Sequence, residues 1–96
     1  MTMEIKQREN GNKGAFFIEV DGKQEAEMTY SVAGTGRIII DHTEVSDKLR
    51  GKNAGKQLVA AAVDHSRKNN LKILPLCPFA RAVFERTPDY ADVFDV

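Results

Sequence analysis

The stretch that most constrains this chain is Arg50-Gly51-Lys52-Asn53-Ala54-Gly55-Lys56. An apolar, β-branched run, Ile38-Ile39-Ile40, precedes it, and a long helical pattern follows. A strand that empties into a basic, glycine-containing turn and then a helix start gathers free backbone N–H groups and the positive helix end around one point. Such a junction holds an anion, and the kind of anion bounds what the protein does.

The 96 residues predict a single domain, 1–96, with one core. Formal net charge is zero and the pI is about 6.7, whereas a duplex nucleic-acid binder carries a basic excess, so no nucleic-acid partner is expected. The start, Met1 to Lys6, shows no apolar signal region, and no run approaches the ~20 apolar residues of a membrane span. Cys77 is the single cysteine, which excludes an internal disulfide framework. These features predict a cytoplasmic protein with no membrane partner.

The first half reads as strands parted by turns. A first strand runs around Met3 to Arg8, and Asn10-Gly11-Asn12 turns the chain. Gly14 to Val20 is aromatic and β-branched, and Asp21-Gly22 suits a tight hairpin. Glu25 to Val32 alternates, with Ala26, Met28, Tyr30 and Val32 on one face and Glu25, Glu27, Thr29 and Ser31 on the other. After Gly34-Thr35-Gly36 comes a fourth strand, Arg37 to Val45. The period then becomes helical. From about Ala54 to Asn69, Leu58, Val59, Ala62 and Val63 form an apolar stripe, opposed by Lys56, Ala60, Asp64, Arg67 and Lys68. That helix is ~24 Å long at 1.5 Å per residue. Leu71 to Leu76 reads as a buried strand, Pro78 opens a second helix through about Arg86, and Thr87-Pro88 stops it. Asp89 to Val96 is expected to form a short helical turn with a solvated acidic face at Asp89, Asp92 and Asp95. The order β-β-β-β-α-β-α predicts an α+β fold: an antiparallel meander, then a βαβ unit with its last strand parallel to the fourth.

The loop matches neither common nucleotide motif. Gly51 and Gly55 stand one residue too close for a triphosphate loop, and Gln57 occupies the place of its magnesium-binding hydroxyl. The Rossmann glycine pattern is absent too. Turning glycines flanked by solvated charges are the plain alternative.

Arg50 to Gly55 resembles the pyrophosphate-binding motif of the GNAT superfamily of acetyl-CoA-dependent N-acetyltransferases, Gln/Arg-x-x-Gly-x-Gly/Ala. Asn53 stands at the first glycine, and Asn tolerates the left-handed conformation better than other side chains do. The likeness runs from about Ile38 to Phe84. Pro75-Leu76-Cys77 and Arg86-Thr87-Pro88-Asp89-Tyr90 narrow it to the small, single-domain GNAT-like proteins. The resemblance implies a minimal GNAT-like fold whose fourth and fifth strands splay, with pantetheine between them. It implies backbone N–H groups near Thr43, Glu44 and Val45 that hold the acetyl carbonyl and pantetheine. It also implies a CoA pyrophosphate held by Arg50, Gly51, Lys52, Asn53, Ala54, Gly55 and Lys56. Larger members cover the acceptor site with helices between the first strands. Only turns stand there in this chain, which suits a protein, peptide or polyamine amine acceptor.

Two side chains near the splay carry acid–base character. Cys77 sits just before a helix, whose N-terminus lowers a thiol pKa. It could protonate the leaving thiolate or act as a nucleophile, or be a small buried residue. His42 has a pKa suited to accepting an amine proton, and alternation places it with Ile38, Ile40 and Glu44 on one face. Glu44 is a reserve base. His65, mid-helix, reads as structural, and Phe79 and Phe84 as core rather than an adenine shelf. No metal-ligand spacing is present. The expectation is an acyltransferase using acetyl-CoA as substrate, with Cys77 and His42 as catalytic residues and Cys77 also lining the cofactor site, as a monomer or weak dimer. A non-catalytic CoA or acyl-CoA binding module, or a small interaction domain, is the alternative.

Overall fold

The computed structural model describes residues 3–95. Strands β1 (Met3–Asn10), β2 (Lys13–Val20), β3 (Lys23–Ala33) and β4 (Arg37–Val45) form an antiparallel meander. The β2–β3 turn puts both Asp21 (φ 52°) and Gly22 (φ 84°) in the left-handed region, the geometry that matches strand twist in a two-residue hairpin. Helix α1 (Ala54–Asn69) then crosses to β5 (Lys72–Pro75), and α2 (Pro78–Arg86) follows. The strands lie in the order β1-β2-β3-β4-β5, with β5 parallel to β4. This is the expected α+β order.

One face of the sheet is packed. Phe16, Ile18, Val20, Ala26, Met28, Tyr30, Ile38, Ile40 and Ile73 meet Leu58, Val59, Ala62 and Val63 of α1 and Ala80, Val83 and Phe84 of α2 in one core. Burial of each large side chain contributes about 1.5–3 kcal/mol. The alternate residues Phe17, Glu19, Glu27, Thr29 and Ser31 are only half-buried. Helix α1 ends at Asn70, which is left-handed (φ 56°) and returns its N–H to the Ser66 carbonyl.

Three details depart from the sequence-based expectation. Glu25 is buried rather than solvent-facing, because a β-bulge between Ile18 and Glu19 turns it inward. There its carboxylate accepts from the Ser46 hydroxyl at 2.9 Å and faces Lys48 Nζ at 3.7 Å. The acidic tail faces solvent at Asp89 and Asp92, but Asp92 and Asp95 are also ion-paired. Arg67 grips Asp92 through Nε and Nη2 at 3.0 and 2.9 Å, and Arg37 reaches Asp95 at 2.5 Å. Phe94 bridges alongside Ile73, so the tail covers the outer edge of β5. His65, read as structural, joins an aromatic cluster with its ring 5.7 Å from that of Phe16 and 6.4 Å from that of Tyr30. Phe84 is core as expected, but Phe79 is 42% exposed. A short turn at Pro88–Tyr90 opens the tail; Val96, part of the expected terminal turn, lies outside the described residues. Among the described residues no helix is long and apolar enough to cross a membrane.

Candidate active site

Strands β4 and β5 part after four paired residues. The ladder runs from Arg37↔Lys72 to Ile40↔Pro75. The Ile40 carbonyl then accepts two consecutive donors, Leu76 N–H at 3.0 Å and Cys77 N–H at 3.3 Å. One carbonyl shared by two donors turns β5 away, while β4 continues to Val45. The segment from Asp41 to Val45 is thus paired on the β3 side alone.

A second irregularity sets what this freed segment presents. The β3–β4 register shifts between Thr29 and Tyr30: Tyr30 opposes Ile40, and Thr29 opposes His42. Asp41 is therefore an extra residue, a bulge, and alternation restarts one position out of phase. His42 does not share the face of Ile38 and Ile40, which corrects the expectation from simple alternation. It stands with Glu44 on the open face, with their side chains 64% and 76% exposed and His42 Nε2 3.0 Å from Glu44 Oε1. Thr43, opposite the buried Met28, takes the core side instead. Ser46 donates its N–H to Glu25 of β3, so by the alternation of an antiparallel ladder Val45 and Thr43 aim their N–H groups away from β3, into the parting. Glu44 points the other way. Of the three residues expected near the donors, Thr43 and Val45 thus face the parting with their N–H groups and Glu44 faces β3.

Cys77 forms the inner wall. It is 7% exposed, precedes α2, and its sulfur lies 3.5 Å from Thr43 Oγ1. Burial pushes its thiol up, but the Thr43 hydroxyl and the N–H groups of Ala80, Phe79 and Thr43 together outweigh this and hold it below the ordinary thiol value. Pro78 serves at the first position of α2, where a missing N–H costs nothing. Three of the exposed large apolar side chains, Val45, Leu76 and Phe79, border the same parting. Leu76 and Phe79 were not anticipated as site residues. Leu76 reads as the end of a buried strand and Phe79 as helix core, and only the position of the parting shows otherwise.

The basic loop lies at the start of α1. A 3-10 turn at Asp47–Leu49, capped by the Ser46 hydroxyl, anchors it through the buried Leu49. Gly51 (φ 79°) and Asn53 (φ 57°) then take the left-handed conformation. Asn53 does occupy the first-glycine position with a compatible backbone, yet its side chain caps nothing. The first helical bond runs from Gln57 N–H to the Asn53 carbonyl at 3.0 Å. The N–H groups of Ala54, Gly55 and Lys56 precede that bond and have no acceptor within the helix. They point out of the N-terminus together with its positive dipole end. Lys56 is exposed, and Arg50 ion-pairs with Asp47 at 2.6 Å, both largely in solvent. The loop and the Cys77 end of α2 touch through Gly55, whose Cα faces the Phe79 ring.

A groove of about 550 Å³ lies elsewhere, between β1 and α1, with Ile5, Phe16, Ala60 and His65 in its lining. Its lining includes neither Cys77 and the parting strands nor the residues 50–56 of the basic loop. Among the described residues no group of three or more His, Cys, Asp or Glu side chains is placed to hold a metal.

Comparison with known proteins agrees with this geometry. The profile of the family described as GCN5-related N-acetyl-transferase matches residues 15–93. Protein NATD1 of Xenopus tropicalis is 26% identical over 85 residues, covering 88% of this chain and 78% of that protein. The solution structure of a GCN5-like protein from Staphylococcus aureus is 43% identical, with a TM-score of 0.73 over 96% of this chain and 87% of that one. The aminoglycoside N-acetyltransferase AAC(6')-Iy, solved in complex with CoA, is 12% identical, so its TM-score of 0.64, over 86% of this chain and 88% of that one, is a likeness of fold. The chain belongs to the GCN5-related N-acetyltransferase family, and its five-stranded sheet with two helices is a minimal form of that fold.

Proposed function

We propose that the protein transfers acetyl from acetyl-CoA to an amine acceptor, with Cys77 as the nucleophile that carries the acetyl group between them. The observation that carries this reading is the parting of β4 and β5, which sets a thiol of lowered pKa beside a stretch of β4 paired on one side only. An N-acetyltransferase of the same fold, AAC(6')-Iy, is solved in complex with CoA, which supports the choice of donor.

The residues suit CoA. Uncapped N–H groups of Ala54, Gly55 and Lys56, with the charges of Arg50, Lys52 and Lys56, would hold the pyrophosphate. Gly51 and Asn53 shape the turn that brings them together. Each charge-assisted contact contributes ~1.5–3 kcal/mol. Val45 and Phe79 would line the pantetheine. The Val45 N–H, aimed into the parting, would hold the acetyl carbonyl and stabilise the oxyanion that forms there.

In the first half-reaction the Cys77 thiolate attacks the acetyl carbon. Its C–S bond forms as the bond to the CoA sulfur breaks, and the departing thiolate takes a proton from water. In the second, the acceptor ammonium gives one proton to His42, and the free amine so formed attacks the acetyl-Cys77 carbon. The C–N bond forms, Cys77 leaves as a thiolate, and the second nitrogen proton passes to solvent. His42 and Cys77 lie on different faces of the sheet, but β4 is an edge past Ile40 and joins the two. The amine thus approaches from the open face and CoA from the helix face. Among the described residues no helix covers that open side, which favours a protein or peptide acceptor.

Incubation with acetyl-CoA, followed by intact mass, tests the relay. The wild-type chain is expected to gain one acetyl group, and Cys77→Ala none. A Cys77→Ala chain that still carries a stoichiometric acetyl group rules out Cys77 as its site. CoA binding without acetylation, and without turnover on a panel of amines and peptides, points to a CoA-binding module instead.

A further inference from the structure

We propose that the Thr43 side chain is the positioning residue that tunes Cys77, and that the bulge at Asp41 exists to bring it there. The inference rests on the reading of Cys77 as nucleophile and adds to it the group that prepares the thiolate.

Without the bulge, the alternation that buries Ile38 and Ile40 would turn His42 towards the helix side and Thr43 to solvent. The extra residue reverses this. The Thr43 hydroxyl then stands 3.5 Å from the Cys77 sulfur, across the gap where β4 and β5 are no longer paired. The Asp41 side chain is engaged on the far face, where it accepts from the Ser31 hydroxyl at 2.8 Å. The bulge is therefore tied down independently of Cys77.

A hydroxyl is the fitting partner at this point. It can donate to the thiolate and, after rotation, accept from the thiol. Being β-branched, Thr holds its hydroxyl in few rotamers. Charged side chains on the neighbouring elements are turned elsewhere: His42 and Glu44 of β4 face the open side, and Arg81 of α2 pairs with Glu85 at 3.4 Å. The sulfur is left with neutral donors, the Thr43 hydroxyl and the N–H groups of Thr43, Phe79 and Ala80. Of these, only the hydroxyl can be removed by substitution without altering the backbone.

The test titrates the thiolate by its ultraviolet absorbance, with Cys77→Ala as the blank and the rate of iodoacetamide alkylation as a second readout. Cys77 is the only thiol, so the signal has one source. Thr43→Val keeps shape and removes the donor. Its midpoint is expected to rise by about one pH unit, with roughly tenfold less thiolate at a pH below both midpoints. Thr43→Ser is expected to return the midpoint to the wild-type value. Thr43→Ala serves the same purpose as Thr43→Val should the latter fail to fold. A wild-type midpoint in a folded Val or Ala variant, or no recovery in the Ser variant, overturns the proposal. The titration needs no acetyl-CoA. A chain that is never acetylated yet shows the shift loses the relay and keeps the Thr43–Cys77 coupling.

Discussion

The Phe79 ring fills the place where a Cβ on Gly55 would stand, coming within 2.6 Å of that position. A residue from the N-terminus of α2 thereby fixes the N-terminus of α1, linking the Cys77 wall of the site to its basic loop. Gly55→Ala is expected to be almost neutral in the wild-type background, because displacement of the ring cancels the better helix propensity of Ala. In a Phe79→Ala background the same change is expected to stabilise by about 0.5–1 kcal/mol. Urea unfolding of the four chains gives the coupling. Equal effects of Gly55→Ala in both backgrounds contradict the contact.

Asn53 holds a left-handed backbone without using its side chain as a cap. Asn53→Gly removes both the backbone cost and a side chain beside the proposed pyrophosphate site. It is expected to raise stability by up to ~1 kcal/mol and to tighten CoA binding, as seen by calorimetry. Asn53→Val, β-branched at positive φ, is expected to lose about 1–3 kcal/mol. A Val variant as stable as the wild type contradicts the left-handed turn.

Tyr30 is a buried polar keystone under β1. Its hydroxyl accepts from Gln7 Nε2 at 2.7 Å and donates to Glu9 Oε1 at 2.8 Å. Burial, opposed by the Gln7 bond and reinforced by Glu9, pushes its pKa up to about 12. A raised phenol pKa stabilises the fold fully below the unfolded value near 10. That contribution is lost as pH climbs from there through about 12. Tyr30→Phe is expected to cost about 1–2 kcal/mol at neutral pH, by leaving Gln7 and Glu9 without their partner. It should also flatten the alkaline loss of stability between those two pH values. An unchanged alkaline profile contradicts the role.

The tail is tested through a single amide. Ile73 N–H donates to the Val93 carbonyl at 2.6 Å, and Arg67 holds the segment through Asp92. The Arg67 bond keeps the Asp92 carboxyl below its ordinary range. The associated stability is therefore present above the unfolded carboxylate pKa and fades as pH falls through the lower, folded value. Asp92→Asn is expected to speed hydrogen exchange at Ile73 severalfold while leaving Leu58 and Val59 of α1 unchanged. Equal acceleration at all three sites contradicts local release of the tail.

How far such features can be read from sequence depends on whether the cause is local. Period-two burial at Ala26, Met28 and Tyr30, and helical burial at Leu58, Val59, Ala62 and Val63, are properties of a strand or helix against one core, and both are legible. The basic loop is legible because its strand-to-helix setting is written into consecutive residues. The Asp41 bulge is not, since nothing in Ile40-Asp41-His42 marks which residue goes unpaired, and one extra residue exchanged the faces of His42 and Thr43. The partners of Asp92 and Asp95 are equally hidden, being arginines distant in the chain. Phe79 reads as core because its spacing matches Val83, and only the departure of β5 after Ile40 leaves it exposed.

The central claim, that the Arg50 to Lys56 loop holds the pyrophosphate of CoA, is tested most directly by titrating CoA while following backbone amide resonances. Saturable shifts are expected at Gly51, Lys52, Ala54, Gly55 and Lys56 and at Thr43 and Val45, with no response at Ile5 and Ala61 beside the remote groove. Absence of shifts in the loop at millimolar CoA, or shifts confined to the groove between β1 and α1, contradicts it.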